Sequence, residues 1–144
     1  MKDPDTEESR LQRASQEDPI VMYLIVRESL NMGMGKTAAQ CAHASQMLQI
    51  KFNEIENNYN NQVKGSGSDY LIFKEWLNSS FRKVVLKADE REWKKLKEEL
   101  TCTMVSIIDA GLTEVEPNTN TVIGLFPMYR SKCPKIIKRL QALK

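Results

Sequence analysis

The chain has one histidine, three cysteines and no apolar run near the ~18 residues that a membrane-crossing helix needs. A helical span is therefore not expected. Cys41, Cys102 and Cys133 are odd in number and spaced unlike a zinc site or a CxxC pair. They read as reduced thiols, which suits a cytoplasmic protein. Cys41 sits in an alanine-rich stretch and reads as a small packed residue rather than a nucleophile. The first residues hold Asp3, Asp5, Glu7 and Glu8 without an apolar stretch, so neither a signal peptide nor a transit peptide is expected there. No internal repeat interrupts the pattern.

What is present fits one globular domain. The length of 144 residues, with 41% hydrophobic and 28% charged residues, allows a core that needs no metal or disulfide staple. Charge is unevenly spread. Residues 1–18 hold six acids and three bases, a net −3 within a total of +2, so the rest of the chain carries +5. The acidic segment is polar and aperiodic, and reads as a disordered leader ahead of a domain over 19–144. The last fifteen residues hold six bases and no acid. Among them Lys132, Lys135, Lys138 and Arg139 are candidates to meet nucleic-acid phosphates, against the plainer reading of a solvated helix face.

Hydrophobic periodicity sets the expected elements. Ile20 to Val26 is continuously apolar, the mark of a strand buried on both faces. From Lys36 the pattern turns helical to about Asn58, with Ala38, Ala39, Ala42, Ala44, Met47, Leu48 and Phe52 as an apolar stripe. Lys64 to Ser68 is a flexible break, and Asp69 is placed to cap a short helix through Leu77. A second strand spans Arg82 to Ala88. Asp89 caps a helix carrying Trp93, Leu96 and Leu100. Met104 to Ile108 and Thr121 to Phe126 are further strands, joined by a long loop, and Pro134 to Leu143 reads as a closing basic helix. This order predicts an α/β fold: a single-domain three-layer sandwich with a mixed four-stranded sheet and helices on both faces.

Three motifs compete for one segment. Gly33-Met34-Gly35-Lys36-Thr37 resembles a phosphate-binding loop. That loop needs GxxxxGK[ST], so that successive backbone N–H groups wrap the phosphates, and its first glycine would fall on Leu30. Gly33 to Ala38 also satisfies the dinucleotide pattern GxGxxA. The acid expected about 20 residues on at a strand end is missing, because Glu54 and Glu56 fall in a helical stretch. The third reading joins two distant segments. Lys36, Gln40 and His43 are spaced i, i+4, i+7 and share one helix face. Asp109 ends a strand, and Thr113 follows in the loop. An acid, a hydroxyl and a lysine that converge can activate an attacking oxygen and stabilise an oxyanion. The plainer reading gives Lys36 a neighbouring carboxylate to neutralise, makes Gln40 a surface residue and His43 a packed one, and leaves Asp109 and Thr113 to organise the loop.

The run Arg27-x-x-Leu30-x-Met32-x-x-Gly35-Lys36-x-Ala38-Ala39-Gln40-Cys41-x-His43-Ala44 resembles the opening signature of type 2 peptidyl-tRNA hydrolases. So does Lys83 to Lys87, and so does Ile108 to Glu114 followed by Pro117 and Thr119 to Gly124. The resemblance covers about residues 20 to 128. It implies a compact, usually homodimeric α/β enzyme that hydrolyses the ester between a peptide and tRNA, without a metal or cofactor. By motif position it implies Lys36, Asp109 and Thr113 as catalytic residues, with Gln40, His43 and Thr121 binding substrate. The chain departs from the family at Asn118, where glycine often follows the proline. It departs again at Asn120, where a base is common, and in its last segment. A glycine-like left-handed turn is open to Asn118. These departures support one alternative, a non-catalytic module that binds tRNA or protein on the same fold.

Overall fold

In a computed structural model, the described residues are 6–8, 18–60, 67–109, 115–116 and 118–144. The apolar run forms β1 (Ile20–Arg27), with Ile20 to Val26 all buried. Its alternate side chains feed two cores. Met22, Leu24 and Val26 point to one face, and Val21, Tyr23 and Ile25 to the other. A strand wetted on one side would alternate polar and apolar residues; this one does not because helices cover both sides.

The first core lies under α1 (Met34–Asn60) and α2 (Gly67–Leu77). Phe73 stacks on Phe52 at 4.4 Å and meets Phe126 edge-on at 4.9 Å. The second core lies under α3 (Glu90–Glu99), which follows β2 (Lys83–Ala88). Asp89 caps α3 as expected, in a capping box: Glu92 N–H donates to Asp89 at 2.7 Å and Asp89 N–H to Glu92 at 3.0 Å. Asp69 does not cap α2 but sits in its first turn.

The sheet is mixed. β1 is parallel to β2 and antiparallel to β4 (Asn120–Leu125), which is antiparallel to β3 (Met104–Ile108). The four expected strands are joined by two short ones, β5 (Met128–Tyr129) against β1 and β6 (Gln141–Ala142) against β2. The sheet thus has six strands in the order β3-β4-β1-β2-β6, with β5 beside β1. The closing helix is much shorter than its pattern suggested. Only α4 (Lys135–Lys138) is helical, after which the chain extends to form β6. Ile137 and Leu140 keep helical spacing and reach the second core, but the open edge of β2 takes the residues beyond. Pairing across a sheet outweighs local periodicity here. The expected leader lies mostly outside the described residues, as do residues 64–66 of the expected break, whereas Gly67 and Ser68 open α2 instead of lying in a break. Asp18, at the leader's end, accepts hydrogen bonds from the N–H and hydroxyl of Ser131 at 2.9 and 2.7 Å.

The alanine stripe is also corrected. Ala44, Leu48 and Phe52 are buried, with Cys41, whereas Ala38, Ala39 and Ala42 face solvent and Met47 is 43% exposed. Period alone did not distinguish which alanines face the sheet.

Gly124, paired across from Leu24, lets α1 settle on the sheet. A Cβ there would stand 3.0 Å from Leu48 Cδ1, 3.2 Å from Ala44 Cβ and 3.3 Å from Leu24 Cδ2. Ala44 has no rotamer with which to yield. Gly124→Ala is expected to destabilise the fold by about 1–3 kcal/mol. Urea unfolding tests this, and an unchanged midpoint contradicts it.

Candidate active site

β3 is parallel to β1 and β2, since both β1 and β3 run antiparallel to β4. The C-terminal ends of all three strands therefore share one edge, where ligands gather in α/β sheets. α1 begins at the same edge. Thr37 holds its first turn, donating its hydroxyl to the Gly33 carbonyl at 2.9 Å. Lys36 in that turn reaches the end of β3 and forms an ion pair with Asp109. The lysine side chain is 15% exposed and the carboxylate 4%. This joins the two segments, seventy-odd residues apart, that the spacing singled out.

The neck of the loop that follows is closed by backbone bonds. Asp109 N–H donates to the Thr119 carbonyl at 2.9 Å, and Asn118 N–H donates to the Asp109 carbonyl at 2.8 Å. Asn118 has a φ of 63°, the left-handed conformation that glycine would supply. Thr113 lies outside the described residues.

Gln40 is not a surface residue. It is 3% exposed and donates to Thr121 Oγ1 at 2.8 Å, while Thr121, fully buried, donates to the Ile107 carbonyl at 3.2 Å. One buried chain of bonds thus ties α1 through β4 to the strand that delivers Asp109. His43, one step further along the Lys36 face, is exposed and borders a groove between α1 and β3. Lys132, Lys135, Lys138 and Arg139 are exposed but stand far off, in the segment that leads into β6.

Arg27 belongs to this edge, although the sequence reading placed it in a motif without a role. Its guanidinium makes two bonds to Glu90, at 2.7 and 2.9 Å, and a third to the Asn120 carbonyl at 3.3 Å. It therefore braces the start of β4. The one available signal was its place at the end of β1, where a base between carboxylate-bearing turns finds partners. The Arg27 hydrogen bond, then that of Ser29, holds the Glu90 carboxyl down at about 2. Burial pushes the thiols of Cys41, Cys102 and Cys133 up, which suits packing and not attack. All three cysteines are free. Among the described residues no three His, Cys, Asp or Glu side chains gather as a metal site, and no helix is long and apolar enough to cross a membrane.

A family model described as peptidyl-tRNA hydrolase PTH2 matches residues 20–143. A peptidyl-tRNA hydrolase of Thermoplasma acidophilum is 32% identical over 126 residues, 85% of this chain and 97% of the relative. One from Methanococcus maripaludis is 34% identical, covering 83% and 96%, and one from Saccharolobus islandicus 39%, covering 75% and 86%. Fold and matches agree: the chain belongs to the PTH2 family of peptidyl-tRNA hydrolases.

Two outcomes follow from these contacts. Thr121→Val strands the buried Gln40 amide in the interior, and is expected to cost about 1–3 kcal/mol in thermal or urea unfolding. A neutral result removes the chain of bonds from the account. Glu90, with its folded value below the usual 4.5, stabilises the fold above that pH and loses the contribution as pH falls toward about 2. Glu90→Gln should therefore melt slightly lower than the parent at pH 7, by no more than about 1 kcal/mol for so exposed a pair. The gap should close on acidification; a gap that widens instead contradicts the assignment.

Proposed function

We propose that the chain hydrolyses the ester between a peptide and the 3′-terminal ribose of tRNA, which recycles tRNA from stalled or aborted translation. The observation that carries this is the Lys36–Asp109 pair, largely shielded from water, at the C-terminal edge of the parallel strands in a PTH2-family sheet. An ionised carboxylate only accepts hydrogen bonds and an ammonium only donates them. Asp109 accordingly takes the proton of the attacking water. Lys36 faces the carbonyl oxygen as it becomes an oxyanion, in a setting dry enough to strengthen the interaction. The acyl bond to the ribose oxygen then breaks, and that oxygen leaves with the proton that Asp109 took from the water. No step requires a metal or cofactor. Thr113 is given a catalytic role by its motif position alone. Gln40 and Thr121 act from behind, holding α1 and β3 at the spacing the pair needs. His43 meets substrate at the rim.

The basic C-terminal segment contacts the tRNA backbone away from the reacting end. Lys132, Lys135, Lys138 and Arg139 are exposed, and four strand spacings, about 19 Å, separate the β3 and β6 edges. Arg82, Arg130 and Lys138 line a concavity of about 800 Å³ in the same region. Binding through phosphates should weaken steeply with salt. The family reading also carries a cytoplasmic homodimer. Leu71 and Phe81, exposed on and after α2, are apolar side chains that such an interface would cover.

The test is cleavage of a purified peptidyl-tRNA by the parent, Asp109→Asn and Lys36→Gln. Both variants should keep a folded circular-dichroism spectrum and lose tenfold or more in rate, toward the 10²–10⁴ typical of acid–base groups. Tight tRNA binding with no turnover by the parent would favour a non-catalytic module and overturn the proposal.

A further inference from the structure

Beside the Lys36–Asp109 pair runs a groove of about 480 Å³ between α1 and the outer edge of β3. One wall is a helix stripe of His43, Gln46, Met47 and Ile50, spaced i, i+3, i+4, i+7. The other is the strand from Val105 to Ile108. Met47 and Ile50 are each 43% exposed and Ile108 is 60% exposed, an unusual concentration of wetted apolar side chains. Among the described residues no Lys, Arg, Asp or Glu lines it. That neutrality suits a peptide and disfavours a phosphate backbone.

The strand wall has backbone to offer. β3 is an edge strand, and no described strand pairs with its outer side. Thr103, Ile107 and Asp109 direct backbone groups inward, accepting from or donating to β4 and its flanks. By alternation, Ser106 and Ile108 turn their N–H and C=O into the groove. At the far end the Lys51 ammonium donates to the Met104 carbonyl at 3.1 Å and closes the edge. The near end opens on the reaction site, because Ile108 precedes Asp109 and His43 shares a helix face with Lys36.

We infer that this groove holds the peptide part of the substrate as a strand added to β3. The inference rests on the esterase reading above. The acyl carbon at Lys36–Asp109 belongs to the C-terminal residue of that peptide, so the peptide must leave the site from there. β3 also runs with its C-terminus toward the site. A peptide in the groove therefore lies parallel to β3. The stripe from His43 to Ile50 is about 10 Å long, enough for about three extended residues. Recognition through main-chain bonds with apolar contacts is indifferent to side-chain order, as a substrate of variable peptide sequence demands.

The test compares two tRNA esters with the same C-terminal residue, one an N-acetyl-aminoacyl-tRNA and the other a tetrapeptidyl-tRNA. The parent should favour the tetrapeptidyl ester by roughly tenfold in kcat/KM, as expected for a few buried apolar and main-chain contacts. In Met47→Asp and Ile50→Asp the ratio should fall toward one. N-methylation of successive peptide amides should weaken cleavage at alternate positions only. A parent ratio near one, a ratio that survives both substitutions, or an equal effect of every N-methyl group overturns the groove. So does conversion of a dimer to a monomer by either substitution, measured by light scattering, which assigns the groove to a second copy. Failure to cleave either ester sinks the esterase reading instead, and this inference with it.

Discussion

An ammonium and a carboxylate held largely out of bulk water join the first turn of α1 to the end of β3. Each charge lies mostly out of water and gains from having the other beside it. Each segment therefore has to arrive where the other is. The surrounding structure meets that demand. Gly124 lets the helix lie close to the sheet. The Gln40–Thr121–Ile107 chain sets the lateral position of α1 against β3. Asn118 turns the loop neck back, so that Thr119 and Asp109 share a bond. Buried ion pairs add little net stability, and this one is better understood as a geometric specification than as glue.

That specification explains which features were legible in the sequence. β1 could be read because burial on both faces leaves a continuous apolar run. The cap at Asp89 could be read because a capping box is a local contract between two side chains three residues apart. The pairing of Lys36 with Asp109 is non-local, and it was reached only through helix-face spacing and resemblance together. Gln40 was harder. A glutamine in a helix is usually wetted, and its burial depends on Thr121, more than eighty positions away. β6 was invisible for the same reason. Its residues carry a helical pattern, and only the unpaired edge of β2 draws them into the sheet.

The phosphate-loop motif resolves by the same geometry. A lysine at a helix start is apt to meet an anion, and here the anion is a side chain. Lys36 meets Asp109 instead of a nucleotide phosphate. The helix start keeps its chemistry, a positive end with an ammonium, but directs it at an internal carboxylate.

Three chemistries are consequently kept apart on one small sheet. The C-terminal strand ends carry the Lys36–Asp109 pair, largely shielded from water, which on the proposed reaction acts on the developing oxyanion. The β3 side offers neutral, apolar surface and open main-chain groups, which fit a peptide. The β6 side carries exposed cations, which fit phosphates. A substrate that is peptide at one end and polyanion at the other can engage both sides only with its ester between them. Specificity for the joined molecule over free peptide or free tRNA then needs no reading of either sequence. It follows from where a mixed sheet places its two edges relative to the ends of its parallel strands.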